Sequence, residues 1–209
     1  LVPELKISKK EKLQTKNLPE LNYVVLLDEV DDSYSGVWMF DEILNLGGDK
    51  DRQKLIEIDK KLEPDDAINI QFTSGTTGQP KGATLSHYNI VNNGSFVTGR
   101  IKLTEKDRLA LPVPLYHCFG MVMGVLGAVS KGAAMIFPGE SFDAKETLDV
   151  LVREKCTALY GVPTMFVAIL QELSKSSSDL SEMRTGIMAG APCPIEVMKK
   201  VNDLMNMKE

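Results

Sequence analysis

Ala67-Ile68-Asn69-Ile70-Gln71-Phe72 runs directly into Thr73-Ser74-Gly75-Thr76-Thr77-Gly78-Gln79-Pro80-Lys81-Gly82. Ile68, Ile70 and Phe72 alternate with Asn69 and Gln71, the two-residue period of a strand. In the loop, Gly75, Gly78 and Gly82 permit positive φ and let the backbone come close to a ligand. Four hydroxyls and a row of amide N–H groups can ring an oxyanion, and Lys81 adds a full positive charge. That combination reads as a phosphate cradle, although the residue types alone leave a solvated Gly/Ser/Thr turn equally open. A Walker A loop is excluded: counted from Gly75 it needs glycine at 80, where Pro80 sits, and Ser or Thr at 82, where Gly82 sits.

Downstream of the loop the chain becomes regular. Ser86 can cap a helix that starts after it. Leu109–Val113 reads as a strand, Phe119–Val129 as a helix and Ala133–Phe137 as a strand. Asp143 with Glu146 three residues on resembles a capping box, and Leu148, Leu151 and Val152 give that helix its apolar stripe. Thr157–Tyr160 reads as the next strand. Pro163 opens a helix with Phe166, Ile169, Leu170 and Leu173 at i, i+3, i+4 and i+7. Gly186–Met188 reads as a strand, and Pro194 opens a helix predicted to turn Val197, Met198, Val201, Leu204 and Met205 inward. Strand and helix alternate from residue 67 to the end, and parallel strands with crossover helices are the economical solution. The chain is therefore an α/β protein with a mostly parallel sheet. The 22 uncharged residues from Leu109 to Ser130 are long enough to span a bilayer, but Pro112, Pro114, Gly120, Gly124 and Gly127 make them a buried strand and helix instead.

Upstream the character changes. Residues 1–66 hold 26 of the 53 charged side chains, against nine in residues 67–142, six of them basic and three acidic. Two regions follow: 1–66, charged and partly irregular, and 67–209, the α/β core carrying the loop. Within 1–66, Tyr23–Leu27 has the profile of a buried parallel strand, Asp28–Ser35 is an acidic loop, and Val37–Leu46 reads as a short helix stopped by Gly47-Gly48. Asp49–Asp66 is charged and exposed. The overall net charge of −5 argues against nucleic-acid binding by bulk charge. Cys118, Cys156 and Cys193 are far apart and the only histidines are His87 and His117, so a structural zinc site is not expected. The polar, Lys-rich first twenty residues hold no signal peptide, and both ends read as internal to a longer protein.

Thr73–Lys81 resembles the signature of the AMP-forming acyl-adenylating enzymes: acyl-CoA synthetases, luciferases and peptide-synthetase adenylation domains. Three more segments resemble that family in its expected order: Pro114-Leu115-Tyr116-His117-Cys118-Phe119-Gly120, Tyr160-Gly161-Val162-Pro163-Thr164 and Ala189-Gly190-Ala191-Pro192. Phe142–Cys156 and His117–Gly120 look most like the family's mitochondrial medium-chain acyl-CoA ligases. The resemblance implies part of a large N-terminal domain and an ATP-dependent ligase that makes acyl-AMP, then acyl-CoA, from a fatty acid, ATP and CoA with Mg²⁺. It implies that Thr73, Ser74, Gly75, Thr76, Thr77, Gly78, Gln79, Pro80 and Lys81 hold the β- and γ-phosphates. It further implies that Gly190, Ala191 and Pro192 flank the adenine, that His117 contacts the acyl carboxylate or the adenylate, and that Gly161 lines the acyl pocket.

Read without the resemblance, His117 is an ordinary histidine, Gly161 a turn glycine and Gly190-Ala191-Pro192 a strand-to-helix turn. His87 and the three cysteines are assigned to structure. The family's Tyr-Gly-x-Thr-Glu segment, its ribose-binding Asp, its hinge and the adenylation lysine of its C-terminal domain are not found in these 209 residues. The chain alone is therefore expected not to make acyl-CoA. A different acceptor (a carrier protein, or a luciferase-like oxidation) and a catalytically silent nucleotide-binding module are the alternatives. By resemblance the setting is the mitochondrial matrix, with the cytoplasm as alternative.

Overall fold

The computed structural model describes residues 2–27, 34–73 and 78–209. It divides into two compact units, Leu1–Leu62 and Glu63–Glu209. In the first, β1 (Val25–Leu26) and β2 (Trp38–Met39) form a two-residue parallel ladder, followed by helices α1 (Phe40–Leu44) and α2 (Asp49–Asp59). The expected strand at Tyr23–Leu27 is thus parallel but short, and Tyr23, Val25 and Leu27 are exposed rather than buried. The acidic stretch at 28–33 lies outside the described residues. Val37–Leu46 is not all helix, because Trp38 and Met39 pair with β1 first. The charged run after Gly48 forms an 11-residue helix whose first turn carries Asp49 and Asp51, favourable against the helix dipole.

The second unit holds the parallel sheet. Its strands are β5 (Arg108–Ala110), β6 (Ala134–Ile136), β7 (Ala158–Gly161) and β8 (Thr185–Met188), in the order β6-β5-β7-β8, all parallel. Crossovers are made by a π-helix at Phe119–Leu126 running into α4 (Gly127–Lys131), then by α5 (Ala144–Arg153) and α6 (Pro163–Leu173); α7 (Ile195–Leu204) follows β8. Both faces are covered, which is why the strands are apolar apart from Arg108 and Thr185 at the entrances of β5 and β8. Ala110 and Leu159 face a core with Leu148, Leu151, Phe166 and Ile169, whereas Leu109, Leu111 and Tyr160 face a second core with Val113 and Phe119. The caps fall as expected: the Ser86 hydroxyl accepts from Asn89 N–H at 3.3 Å, and the Asp143 carboxylate from Glu146 N–H at 2.8 Å.

Three details differ from expectation. First, strand β3 (Ala67–Thr73) is followed not by a helix but by β4 (Lys81–Ser86), antiparallel to it, with Ile70 opposite Thr84 and Thr73 opposite Lys81. Helix α3 (His87–Arg100) comes only after that hairpin. Second, Val152, Met198 and Leu204 are exposed; Val150 takes a buried place on α5, while Val201 and the residue after α7, Met205, are buried as expected. Third, the last helix stops at Leu204, and Glu209 N–H donates to Arg184 O at 3.0 Å, at the start of β8.

The N-terminal end of the sheet is fastened by Asp107, which is buried. Its carboxylate accepts from Arg184 Nε and Nη2 at 3.0 and 2.6 Å, from Thr157 Oγ1 at 2.7 Å and from Thr104 N–H at 2.8 Å. One side chain thereby joins the entrances of β5, β7 and β8.

Candidate functional site

A parallel sheet gathers the loops that follow its strands along one edge, and ligands of open α/β sheets bind where the winding direction reverses. Here β5 leads outward to β6, whereas β7 and β8 lie on the other side of β5. The reversal therefore falls between the C-terminal ends of β5 and β7. Three of the four family-like segments lie on that edge: Pro114–Gly120 after β5, Tyr160–Thr164 at the end of β7, and Ala189–Pro192 after β8.

The β5 loop is built tightly. His117 N–H donates to Pro114 O at 3.3 Å, and Met121 N–H to His117 O at 3.0 Å as the π-helix begins. The His117 ring is exposed, and its Nδ1 accepts from Phe119 N–H at 3.0 Å. With Nδ1 occupied as an acceptor, the neutral ring carries its proton on Nε2 and presents a donor outward. Gly120 makes this possible: a Cβ there would meet Pro114 O at 2.4 Å. The Cys118 sulfur lies 3.7 Å from His117 Nδ1, but Nδ1 is already engaged and no third group among the described residues orients the pair, so these residues do not assemble a Cys–His nucleophile. Cys156 is buried under α5, and burial pushes its thiol up to about 11, as befits a structural cysteine.

Gly161 ends β7 in a buried position, where a Cβ would stand 3.1 Å from the Phe166 ring. Its carbonyl accepts from Ala189 N–H at 3.2 Å, extending the β7–β8 ladder by one bond. Gly190 has φ +88°, and a Cβ on it would lie 3.2 Å from Val162 Cγ1. Glycine is favoured there by conformation, and the β7 loop approaches it closely. Ala191 and Pro192 are exposed on the same edge. A cavity of about 460 Å³ opens between the β5 and β6 loops, with Val113, Leu115, Tyr116, Phe137, Phe142 and Met165 in its wall.

The cradle segment has a different setting. Thr73 and Lys81 face each other at the mouth of the β3–β4 hairpin. Gly78 has φ +90°, so the turn uses the freedom that glycine gives. Gln79, Pro80 and Lys81 are exposed, and Lys81 makes no ion pair among the described residues. Ser74, Gly75, Thr76 and Thr77 lie outside the described residues. No hydrogen bond between described residues ties the hairpin tip to the sheet edge that holds His117, Gly161 and Gly190. Among the described residues no three His, Cys, Asp or Glu side chains cluster as a metal site, and no helix is long and apolar enough to cross a membrane.

Sequence reasoning passed over Tyr160 as a residue in its own right. The signal was one phenol in an otherwise aliphatic strand, Ala158-Leu159-Tyr160-Gly161. In the structure it is fully buried and stacks on Phe119, with ring centroids 5.6 Å apart.

Residues 4–209 match the family model of the AMP-binding enzymes. The chain is 44% identical over 209 residues to a putative acyl-CoA synthetase of Bacillus subtilis, YngI, covering 100% of this chain and 38% of that one. It is 43% identical over 211 residues to the mitochondrial medium-chain acyl-CoA ligase ACSF2 of Danio rerio, covering 100% of this chain and 34% of that one. Among solved structures it resembles ATP-bound MatB from Rhodopseudomonas palustris, with 31% identity and a TM-score of 0.59 over 68% of this chain and 27% of that one. The chain thus spans between a third and two fifths of the length of these two curated relatives.

Proposed function

Because the chain belongs to the AMP-binding enzyme family, we propose that the complete protein is an ATP-dependent acyl-CoA ligase acting on a fatty acid. The observation that carries this reading is the convergence of His117, Gly161 and Gly190 on one edge of the sheet, at the reversal between β5 and β7. The relatives named as acyl-CoA synthetase and medium-chain acyl-CoA ligase support the same activity.

In the first step a carboxylate oxygen attacks the α-phosphorus of ATP. A C–O–P bond forms, the bond to the β-phosphate bridging oxygen breaks, and pyrophosphate leaves with the electron pair. Both reactants are anions, so charge neutralisation and alignment carry the catalysis. The exposed ammonium of Lys81 and the backbone at Gly78 suit the β- and γ-phosphates, and the Nε2–H of His117 suits an oxygen of the acid or of its adenylate. General-base work by His117 is not needed, since a fatty acid is already ionised at neutral pH. In the second step the CoA sulfur attacks the acyl carbon, a C–S bond forms, AMP departs with the C–O electron pair, and the thiol proton is released. Gly190-Ala191-Pro192, small and exposed, leaves room for a flat base to pack on the β8 loop.

Mg²⁺ would shield the phosphate charge. The described residues hold no cluster of carboxylates able to bind it alone, so the ion is best placed as part of the ATP complex, and no step is assigned to it. The zebrafish relative's name supports a mitochondrial setting, which imaging of the tagged full-length protein would test.

Lys81→Ala in the full-length protein is expected to reduce acid-dependent ATP–pyrophosphate exchange about 100-fold, the scale seen when one donor to developing charge is removed. Exchange at the wild-type rate would remove the hairpin from the phosphate site. Exchange with every carboxylic acid tried, but no thioester with CoA, would replace CoA by another acceptor.

A further inference from the structure

Tyr160 has no hydrogen-bond partner for its hydroxyl among the described residues, although the side chain is completely buried. Its surroundings are hydrocarbon: Leu109, Leu111, Val113, Ala128 and Ala158, with the Phe119 ring stacked on it at an interplanar angle of 21°. Leaving such a group unpaired is costly, and phenylalanine at the same place would avoid the cost. Burial pushes the phenol well above its usual range, so the group remains an O–H donor.

Two further observations place this donor beside the site. The wall of the same cluster is the π-helix Phe119–Leu126, a rare geometry found mostly at functional sites. Its first residue, Phe119, links Tyr160 to His117: its ring stacks on the phenol while its N–H donates to His117 Nδ1 at 3.0 Å. Through Phe119, and through Gly161 as the next residue of β7, Tyr160 is tied to the sheet edge that carries His117. Met123 and Met165 pack against this cluster, and methionine side chains yield readily to an entering chain.

We propose that Tyr160 is a specificity-determining residue: its hydroxyl donates to an oxygen carried on the acyl chain, so that the enzyme selects acids bearing a hydroxyl over plain hydrocarbon acids of equal length. This rests on the acyl-CoA ligase reading and sharpens its substrate class. A buried donor left unpaired by the plain acid is the physical basis of the discrimination, and sites of this kind discriminate strongly.

The test uses the full-length enzyme, wild type and Tyr160→Phe, with a straight-chain acid and counterparts carrying one hydroxyl at successive carbons. Pyrophosphate release gives kcat/KM for each. The wild type is expected to favour one hydroxylated acid at least tenfold, and Tyr160→Phe to abolish that preference while leaving KM for ATP unchanged. In the absence of acid, Tyr160→Phe is expected to melt no lower than wild type, because it removes an unpaired group. Equal preference in the two proteins, or a lowered melting temperature showing that the hydroxyl has a structural partner, would overturn the assignment while leaving the ligase reading intact. No pyrophosphate with any acid would overturn both.

Discussion

Replacing Asp107 by alanine in the full-length protein is expected to lower its melting temperature by about 2–3 °C, as followed by calorimetry beside the wild type. Truncation strips Arg184 of two hydrogen bonds and leaves Thr157 Oγ1 and Thr104 N–H without their acceptor. Breaking a buried pair costs about 3–5 kcal/mol. The lower end applies here, because Arg184 stays partly solvated and keeps Glu209 at 2.7 Å. Asp107→Asn keeps the shape and part of the bonding, and is expected to lose less.

The same carboxylate gives the fold an acid limit. Burial alone would raise its pKa, but the hydrogen bonds from Arg184, Thr157 and Thr104 outweigh burial and hold it at about 2, against an ordinary 3.8. A depressed folded-state value means the stabilisation is present in full above pH 4 and is lost as the pH falls towards 2. It amounts to about 2 kcal/mol. The Asp107→Ala protein should lack that part of the acid sensitivity. Parallel pH–melting curves for the two proteins would contradict the assignment.

Gly120→Ala is expected to cost about 100-fold in kcat/KM for the acid, the scale of loss from an ångström-sized displacement of a reacting group. The new methyl would lie 2.4 Å from Pro114 O and 2.9 Å from Pro114 C, both backbone atoms that cannot rotate away. The Pro114–Cys118 loop must move, and His117 with it. Gly99→Ala is the control, since its Cβ meets nothing closer than the end of Lys131 at 3.9 Å. That control should leave activity unchanged and raise stability slightly, by about 0.4–1 kcal/mol. If the Gly120 variant keeps wild-type kcat/KM, the tight loop is not what positions His117.

The parallel sheet was legible because its strands are short runs with apolar residues, three of the four followed by a helix with its own start signal: Asp143, Pro163 and Pro194. Strand β4 was not, because Lys81-Gly82-Ala83-Thr84-Leu85-Ser86 carries no alternation; it is a strand through its backbone bonds to β3. Periodicity also misjudged Val152, Met198 and Leu204, where a helix turns an apolar residue outward for lack of a neighbour. For the site, the residue strings pointed to His117, Gly161 and Gly190, while their shared edge follows from strand order, which periodicity does not encode. That Tyr160 has no hydrogen-bond partner among the described residues is a property of three-dimensional packing alone.

The β3–β4 hairpin also bears on how this protein can be handled. Ile68, Ile70 and Phe72 stand on one face of β3, with Phe72 72% exposed. A two-stranded ribbon is marginal in water without something packed on it. An exposed apolar strip with open strand edges is also a template for self-association. Any expression boundary that leaves this ribbon bare therefore trades yield for brevity. Soluble recovery across a set of truncations, scored by light scattering, would map what the ribbon rests against.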